Sequence, residues 1–338
     1  MFSRLKSFSL RGLDVTWVDV EVSVSPGLPK FEIIGMPDTA IRESRERIFQ
    51  SIRHFGYSVP PGNITVNLAP AEKQKRGSAF DLPIALGLLK ASSQIESSLE
   101  LGNFLVAGEL SLEGRLTRSS GIFNAALAAL QDSFGGFLFP ADNAGELSSL
   151  SLPECGFARN LGEAVLILGG KKMERPLPYE STEGTSSIED KQEKPLDFAR
   201  IFGNELAVRA AQIAVTAGMN LLLIGPPGCG KTLILRAMKG LRRPLAEQDR
   251  LEVTRIHSAA GLPVDGLLRL PPYREVHSTA TLPALLGGGI FPMPGEISLA
   301  HKGTLVLDEL SEFPRSHIQG LRVPLEEKRI ILNRLASP

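Results

Sequence analysis

Residues Gly225-Pro226-Pro227-Gly228-Cys229-Gly230-Lys231-Thr232 follow the spacing G-x-x-x-x-G-K-T. In such a loop, glycines let backbone N–H groups close around phosphate oxygens, and the start of the following helix adds partial positive charge. A lysine at position 231 reaches β- and γ-phosphates, and the hydroxyl of Thr232 holds Mg²⁺. The mechanism needs a strand before the loop and a helix after it. Asn220-Leu221-Leu222-Leu223-Ile224 predicts the strand, and Leu233 to Lys239, closed by Gly240, predicts the helix. The plain alternative is an ordinary Gly/Pro turn; the complete motif in its required context argues against it.

A second pattern follows downstream. Thr304-Leu305-Val306-Leu307 is an apolar run with β character, ending in Asp308-Glu309. Asp308 stands where a carboxylate supports the Mg²⁺ shell, and Glu309 where one orients and polarises an attacking water. Acids often follow strands, so the pair is weak alone. Joined to the loop at 225–232, it predicts an ATPase core. ATP and Mg²⁺ are its cofactors, Lys231 and Glu309 its catalytic residues, and Thr232 and Asp308 its metal ligands.

These groups need a scaffold, and 338 residues with 43% hydrophobic content can bury the cores of two domains. Lys and Arg total 37, as do Asp and Glu, so formal charge is zero. The whole-chain balance therefore offers no electrostatic argument for nucleic acid, and DNA contact would depend on local patches or on assembly. Cys155 and Cys229 lie too far apart in sequence to suggest a disulfide framework or a zinc site. Cys229 is small enough for the phosphate loop and oxidisable there. The first residues carry no apolar leader, and no run of 18 apolar residues occurs. A cytoplasmic protein with no membrane span is expected.

Residues 1–170 read as an α/β unit. Val18, Val20, Val22 and Val24 alternate with polar residues, predicting a half-buried strand. Pro37-Asp38 opens a helix with Ile41, Ile48, Ile52 and Phe55 on one side; Arg42, Arg45, Arg47 and Arg53 lie mostly elsewhere, in the pattern of a solvated face. Asn63–Leu68 predicts a strand, Asp81–Ala91 a buried helix, Phe104–Leu110 and Gly114–Thr117 strands around a turn, and Asn124–Leu130 a helix. Residues 171–197 are charged, with Ser, Thr and Pro interleaved, and too poor in apolar side chains to offset ordering entropy; they predict a flexible linker. Residues 198–338 form the nucleotide domain.

At this point the chain resembles the YifB/ComM group of Mg-chelatase-like AAA+ ATPases, over essentially its whole length. The markers are Gly35-Met36-Pro37-Asp38 with Glu43-Ser44-Arg45-Glu46-Arg47, then Asn63-Ile64-Thr65-Val66-Asn67-Leu68-Ala69-Pro70, and Phe80-Asp81-Leu82-Pro83-Ile84-Ala85-Leu86-Gly87. In the second half they are the nucleotide motifs, Leu286-Gly287-Gly288-Gly289, Pro294-Gly295-Glu296-Ile297-Ser298-Leu299-Ala300-His301, and Leu321-Arg322 with Pro324-Leu325-Glu326. The resemblance implies an N-terminal Lon-protease-like α/β domain, then a P-loop AAA+ α/β domain. It also implies a hexameric ring and ATP-driven DNA remodelling, as in ComM-type branch-migration helicases of natural transformation. An ATP-driven chaperone- or chelatase-like motor acting on a protein partner is the alternative, and a nucleotide-binding fragment without turnover a third reading.

The family pattern continues with a sensor strand, an arginine finger and a helical lid. None is found before Pro338, so the resemblance implies a C-terminally truncated AAA+ module; Arg315, Arg322 and Arg329 are not assigned as a finger. Lon-type peptidases pair a serine with a lysine. The matching positions hold Ala79 and Phe123, and Ser78 is one residue out of place, so no peptidase is expected. Lys73, Lys75 and Arg76 form a basic cluster that could touch phosphate or simply be solvated. His257, His277 and His301 lack metal-ligand spacing. Relatives usually show two adjacent histidines where this chain has Val276-His277. Arg269, Arg274 and Lys302 are candidate DNA contacts, and Gly287–Glu296 matches an insertion that points to the ring channel.

Overall fold

The computed structural model describes residues 1–330 except 73, 76, 96–102, 133, 171–195 and 289–292. The chain divides into two compact units, Met1–Thr182 and Glu183–Pro338. The linker expected at 171–197 falls almost wholly outside the described residues, as do Lys73, Arg76 and Gly289.

The first unit runs β1 (Phe2–Arg11), β2 (Asp14–Ser25), β3 (Lys30–Ile34), α1 (Thr39–Arg42), α2 (Ser44–His54), β4 (Asn63–Ala69) and α3 (Asp81–Ala91). Then come β5 (Phe104–Val106), β6 (Glu109–Leu110), β7 (Leu116–Thr117), α4 (Ile122–Gln131), β8 (Gly136–Pro140), β9 (Glu154–Ala158) and α5 (Leu161–Leu168). A seven-stranded sheet has the order β3-β4-β2-β1-β5-β8-β9. The β1–β2 and β2–β4 pairs are antiparallel, and the other neighbours are parallel.

Alternation sets the buried face. Val18, Val20, Val22 and Val24 of β2 and Ile64, Val66 and Leu68 of β4 all point into the core. Helix α3 is buried on nearly every side, as a helix apolar all round must be. It lies on β1 and β2, close enough that a Cβ on Gly87 would sit 2.7 Å from Val22 Cγ2.

Two expected elements are broken. The helix opening at Asp38, whose carboxylate caps the Ile41 N–H at 2.9 Å, divides at Glu43. There the buried Ser44 hydroxyl donates to the Ile41 carbonyl at 2.6 Å, a local competitor of the helix ladder. The strand expected over Phe104–Leu110 leaves the sheet after Val106. Gly108 is pinned to the start of α3, its N–H donating to the Ala79 carbonyl and its carbonyl accepting from Leu82 N–H. Glu109–Leu110 then pairs with β7 in a separate ladder.

In the second unit the elements are α6 (Glu205–Ala217), α7 (Lys231–Met238), α8 (Glu247–Ala259), β10 (Tyr273–Val276), α9 (Leu282–Leu286), β11 (Gly287–Gly288) and β12 (Met293–Pro294). They continue with α10 (Glu296–Leu299), β13 (Thr304–Leu307), α11 (Arg315–Gly320) and α12 (Arg322–Glu327). β10 and β13 pair in parallel, Tyr273 opposite Thr304 and Val276 opposite Leu307. Asn220–Ile224, expected as a strand, joins no ladder among the described residues. Its two sides still differ. Leu221 and Leu223 pack on a core of Ala211, Ile234, Met238, Tyr273 and Val306, while Leu222 and Ile224 are 65% and 89% exposed. A strand exists by pairing, so the apolar pattern produces the face without the ladder.

Candidate nucleotide site

The loop at 225–232 owes its path to glycine. Gly228 and Gly230 take φ of +79° and +92°, in the region L side chains avoid. A Cβ on Gly225 would lie 2.9 Å from Cys229 Sγ. The loop runs directly into α7, whose first residues are Lys231 and Thr232. Lys231 Nζ folds back over the loop, donating to the carbonyls of Gly225 (2.9 Å) and Pro226 (3.0 Å), with Cys229 Sγ at 3.8 Å. The ammonium thus stands over the curl of backbone, where a phosphate would meet it. Pro226 and Pro227 lie in the same exposed turn.

The second pattern arrives at the same place. Thr232 Oγ1 donates to Asp308 Oδ2 at 3.1 Å, across 76 positions of sequence. The other Asp308 oxygen accepts the Glu309 N–H at 3.0 Å. A hydroxyl and a carboxylate in contact are hard oxygen donors of the kind Mg²⁺ selects, so the residues present fit a nucleotide–Mg²⁺ complex. Glu309 is exposed and left-handed, with φ +55° and ψ +51°. A non-glycine residue held there carries strain of about 1–3 kcal/mol, and such positions cluster at functional sites.

Asn204 is the residue that motif reading missed. It begins α6 at φ +53°, and its Nδ2 donates to the Cys229 carbonyl inside the loop at 2.9 Å. Phe202-Gly203-Asn204 before Glu205 reads from sequence only as a helix start, with nothing to indicate a partner 25 residues away.

Other candidates are committed elsewhere. Lys75 is a core residue, 1% exposed, bonded through Nζ to the Pro70 carbonyl. Burial pulls its ammonium below the usual lysine range, so it does not serve as a surface phosphate contact. Arg274 forks onto Glu296 at 2.7 and 2.9 Å, and Lys302 pairs with Asp249 at 2.9 Å. Of the three suggested DNA contacts, Arg269 and the ion-paired Lys302 are exposed, and Arg274 is half-buried. On α2, Arg47 grips Asp81, and Arg45 lies over the Phe49 ring at 5.4 Å. His257 bonds the Leu299 carbonyl and His301 bonds Glu252. Among the described residues no three His, Cys, Asp or Glu side chains converge on a metal position. Of the two residues that the sequence reading set against a peptidase dyad, Ala79 sits in the turn before α3 and Phe123 is wholly buried in α4.

Two family models match the two halves. Residues 20–143 match "Subunit ChlI of Mg-chelatase", and residues 197–337 match "Magnesium chelatase, subunit ChlI". The two halves are therefore those of a Mg-chelatase-like protein, a ChlI domain followed by a Mg-chelatase AAA domain. YifB of Salmonella typhimurium is 38% identical over 325 residues, covering 96% of this chain and 62% of that protein. Competence protein ComM of Haemophilus influenzae is 39% identical over 327 residues, covering 96% and 63%. Rv2897c of Mycobacterium tuberculosis is 36% identical over 336 residues, covering 98% and 65%. The chain belongs to the YifB/ComM family of Mg-chelatase-like proteins, and it spans under two thirds of the length of these relatives. No helix among the described residues is long and apolar enough to cross a membrane.

Proposed function

We propose that this chain binds Mg²⁺-ATP at the 225–232 loop and belongs to a motor that couples ATP hydrolysis to DNA remodelling. The observation that carries the nucleotide reading is the Thr232–Asp308 contact, which brings the two motif halves to one point. Loop N–H groups and Lys231 would bind the phosphates, and Thr232 and Asp308 would hold Mg²⁺. Glu309 would orient the water and take its proton. Bound Mg²⁺ would supply charge neutralisation at the phosphate oxygens. The first unit, on this reading, is a Lon-protease-like domain without peptidase chemistry, serving assembly or DNA contact. A hexameric ring in the cytoplasm is the expected working form.

The DNA reading rests on family membership and on the relative named Competence protein ComM. The matches to magnesium chelatase models and the zero formal charge favour a second reading, a motor acting on a protein partner. Steady-state ATP hydrolysis with and without branched DNA separates them. Stimulation by DNA supports the first, and turnover indifferent to DNA removes it.

Glu309→Gln should keep Mg²⁺-ATP affinity within about twofold and lower any turnover by about 10²–10⁴-fold, the range of a general base. Unchanged turnover would remove Glu309 from the chemistry. Cys229 offers a second check. N-ethylmaleimide should label both half-buried cysteines, and Mg²⁺-ATP should slow labelling of Cys229 alone, read by peptide mass spectrometry. Equal slowing at Cys155, or none at either, would place the nucleotide elsewhere.

A further inference from the structure

We infer that Asn204 is a positioning residue that pre-sets one peptide of the phosphate loop, an inference that rests on the nucleotide reading above. Asparagine at a helix start ordinarily turns its side-chain oxygen to the N–H of the second or third helical residue. Asn204 makes no such cap. Its amide instead reaches 25 residues along the chain and donates to the Cys229 carbonyl at 2.9 Å.

The consequence follows from peptide geometry. In a planar trans peptide the carbonyl and the next N–H point in opposite directions. Holding the Cys229 carbonyl toward Asn204 turns the Gly230 N–H the other way. That orientation matters because this peptide is free to rotate. Gly230 lies at φ +92° and has no Cβ to favour one sign of φ. A rotated peptide would present a carbonyl oxygen to an incoming phosphate, repelling the anion that the loop exists to bind. Asn204 makes this unfavourable by bonding the carbonyl before any ligand arrives.

The backbone of Asn204 supports the same role. At φ +53° and ψ +35° it occupies the left-handed region, which Asn and Asp tolerate better than other side-chain-bearing residues. The conformation aims the amide at the loop and not along α6. Gly203 before it, at φ +76°, lets the chain turn in from Phe202.

Two variants separate positioning from folding. Asn204→Gly keeps the backbone conformation and removes the donor; Asn204→Asp keeps shape and backbone but sets an acceptor against the Cys229 carbonyl. Dissociation constants for ATP and for inorganic pyrophosphate would be measured by titration calorimetry on the full 338-residue chain, beside the melting temperature without ligand. Both ligands should weaken equally, by about three- to tenfold in Asn204→Gly and by more in Asn204→Asp, as expected for one hydrogen bond. Hydrogen exchange at the Gly230 amide of the ligand-free protein should accelerate in both variants, while melting stays within about 2 °C. Unchanged affinity in both variants overturns the inference and leaves the nucleotide site standing. A loss for ATP but not pyrophosphate also overturns it, because Asn204 would then act on another part of the nucleotide. If the unaltered chain binds neither ligand, the nucleotide reading falls and this inference falls with it.

Discussion

Arg47→Met should unfold the first unit at neutral pH, with a loss of about 3–5 kcal/mol, the cost of leaving a buried charge without its partner. Asp81 is fully buried at the start of α3, and its carboxylate accepts from Arg47 Nε at 2.7 Å, Arg47 Nη2 at 3.1 Å and the Leu110 N–H at 3.2 Å. Burial is the largest influence, pushing the Asp81 carboxyl up from 3.8 to about 6 against the pull of these bonds. The pH dependence has a definite sign. The folded value lies above the unfolded one, so the folded protein holds the proton more tightly. Stability from this group is full below about pH 4 and is lost as pH rises through 6.

Without Arg47 the folded value climbs further. The Arg47→Met variant should therefore regain much of its stability near pH 5 and lose it again by pH 8. Adding Asp81→Asn should restore most of the loss at pH 8, since an amide carries no charge to strand. Trp17 is the one tryptophan in the chain and packs on Phe134 in the first unit, with ring centroids 4.8 Å apart. Its fluorescence during urea unfolding reads this unit selectively. A variant equally stable at pH 5 and pH 8 would show that the ion pair does not govern this core.

The second large effect belongs to the nucleotide loop. Lys231→Ala is expected to weaken Mg²⁺-ATP binding by about a hundredfold or more, from charge-assisted hydrogen bonds of roughly 1.5–3 kcal/mol each. The ammonium now bonds the carbonyls of Gly225 and Pro226. Both are exposed, and water can replace the lysine there, so melting of the unliganded protein should change little. Affinity lost with stability kept is the signature of a binding residue. Calorimetry on both proteins, with the far-ultraviolet melt as control, measures the two quantities. Equal ATP affinity in the variant would mean that the loop is not the phosphate site.

Sequence by itself determined the path of the loop at 225–232, because its determinants are local. Three glycines, a lysine and a threonine within eight consecutive residues set the backbone path and the charge with little help from the rest of the chain. Alternation did the same for β2 and β4, where a period of two decides which side chains face the core. Contacts between distant residues were decided only by the tertiary structure. Lys75 read as part of a surface cluster and proved buried, because the Pro70 carbonyl offers its ammonium a partner that composition does not reveal. Arg47 read as one charge on a solvated face, yet Asp81, 34 positions on, claims it. Gly108 ended a strand that its neighbours favour, because the start of α3 captures both of its backbone polar groups. Asn204 bonds the loop at 225–232 because the fold brings the start of α6 to the Cys229 carbonyl. Propensity acts over a few residues, whereas a buried polar group must find its partner wherever the fold supplies one.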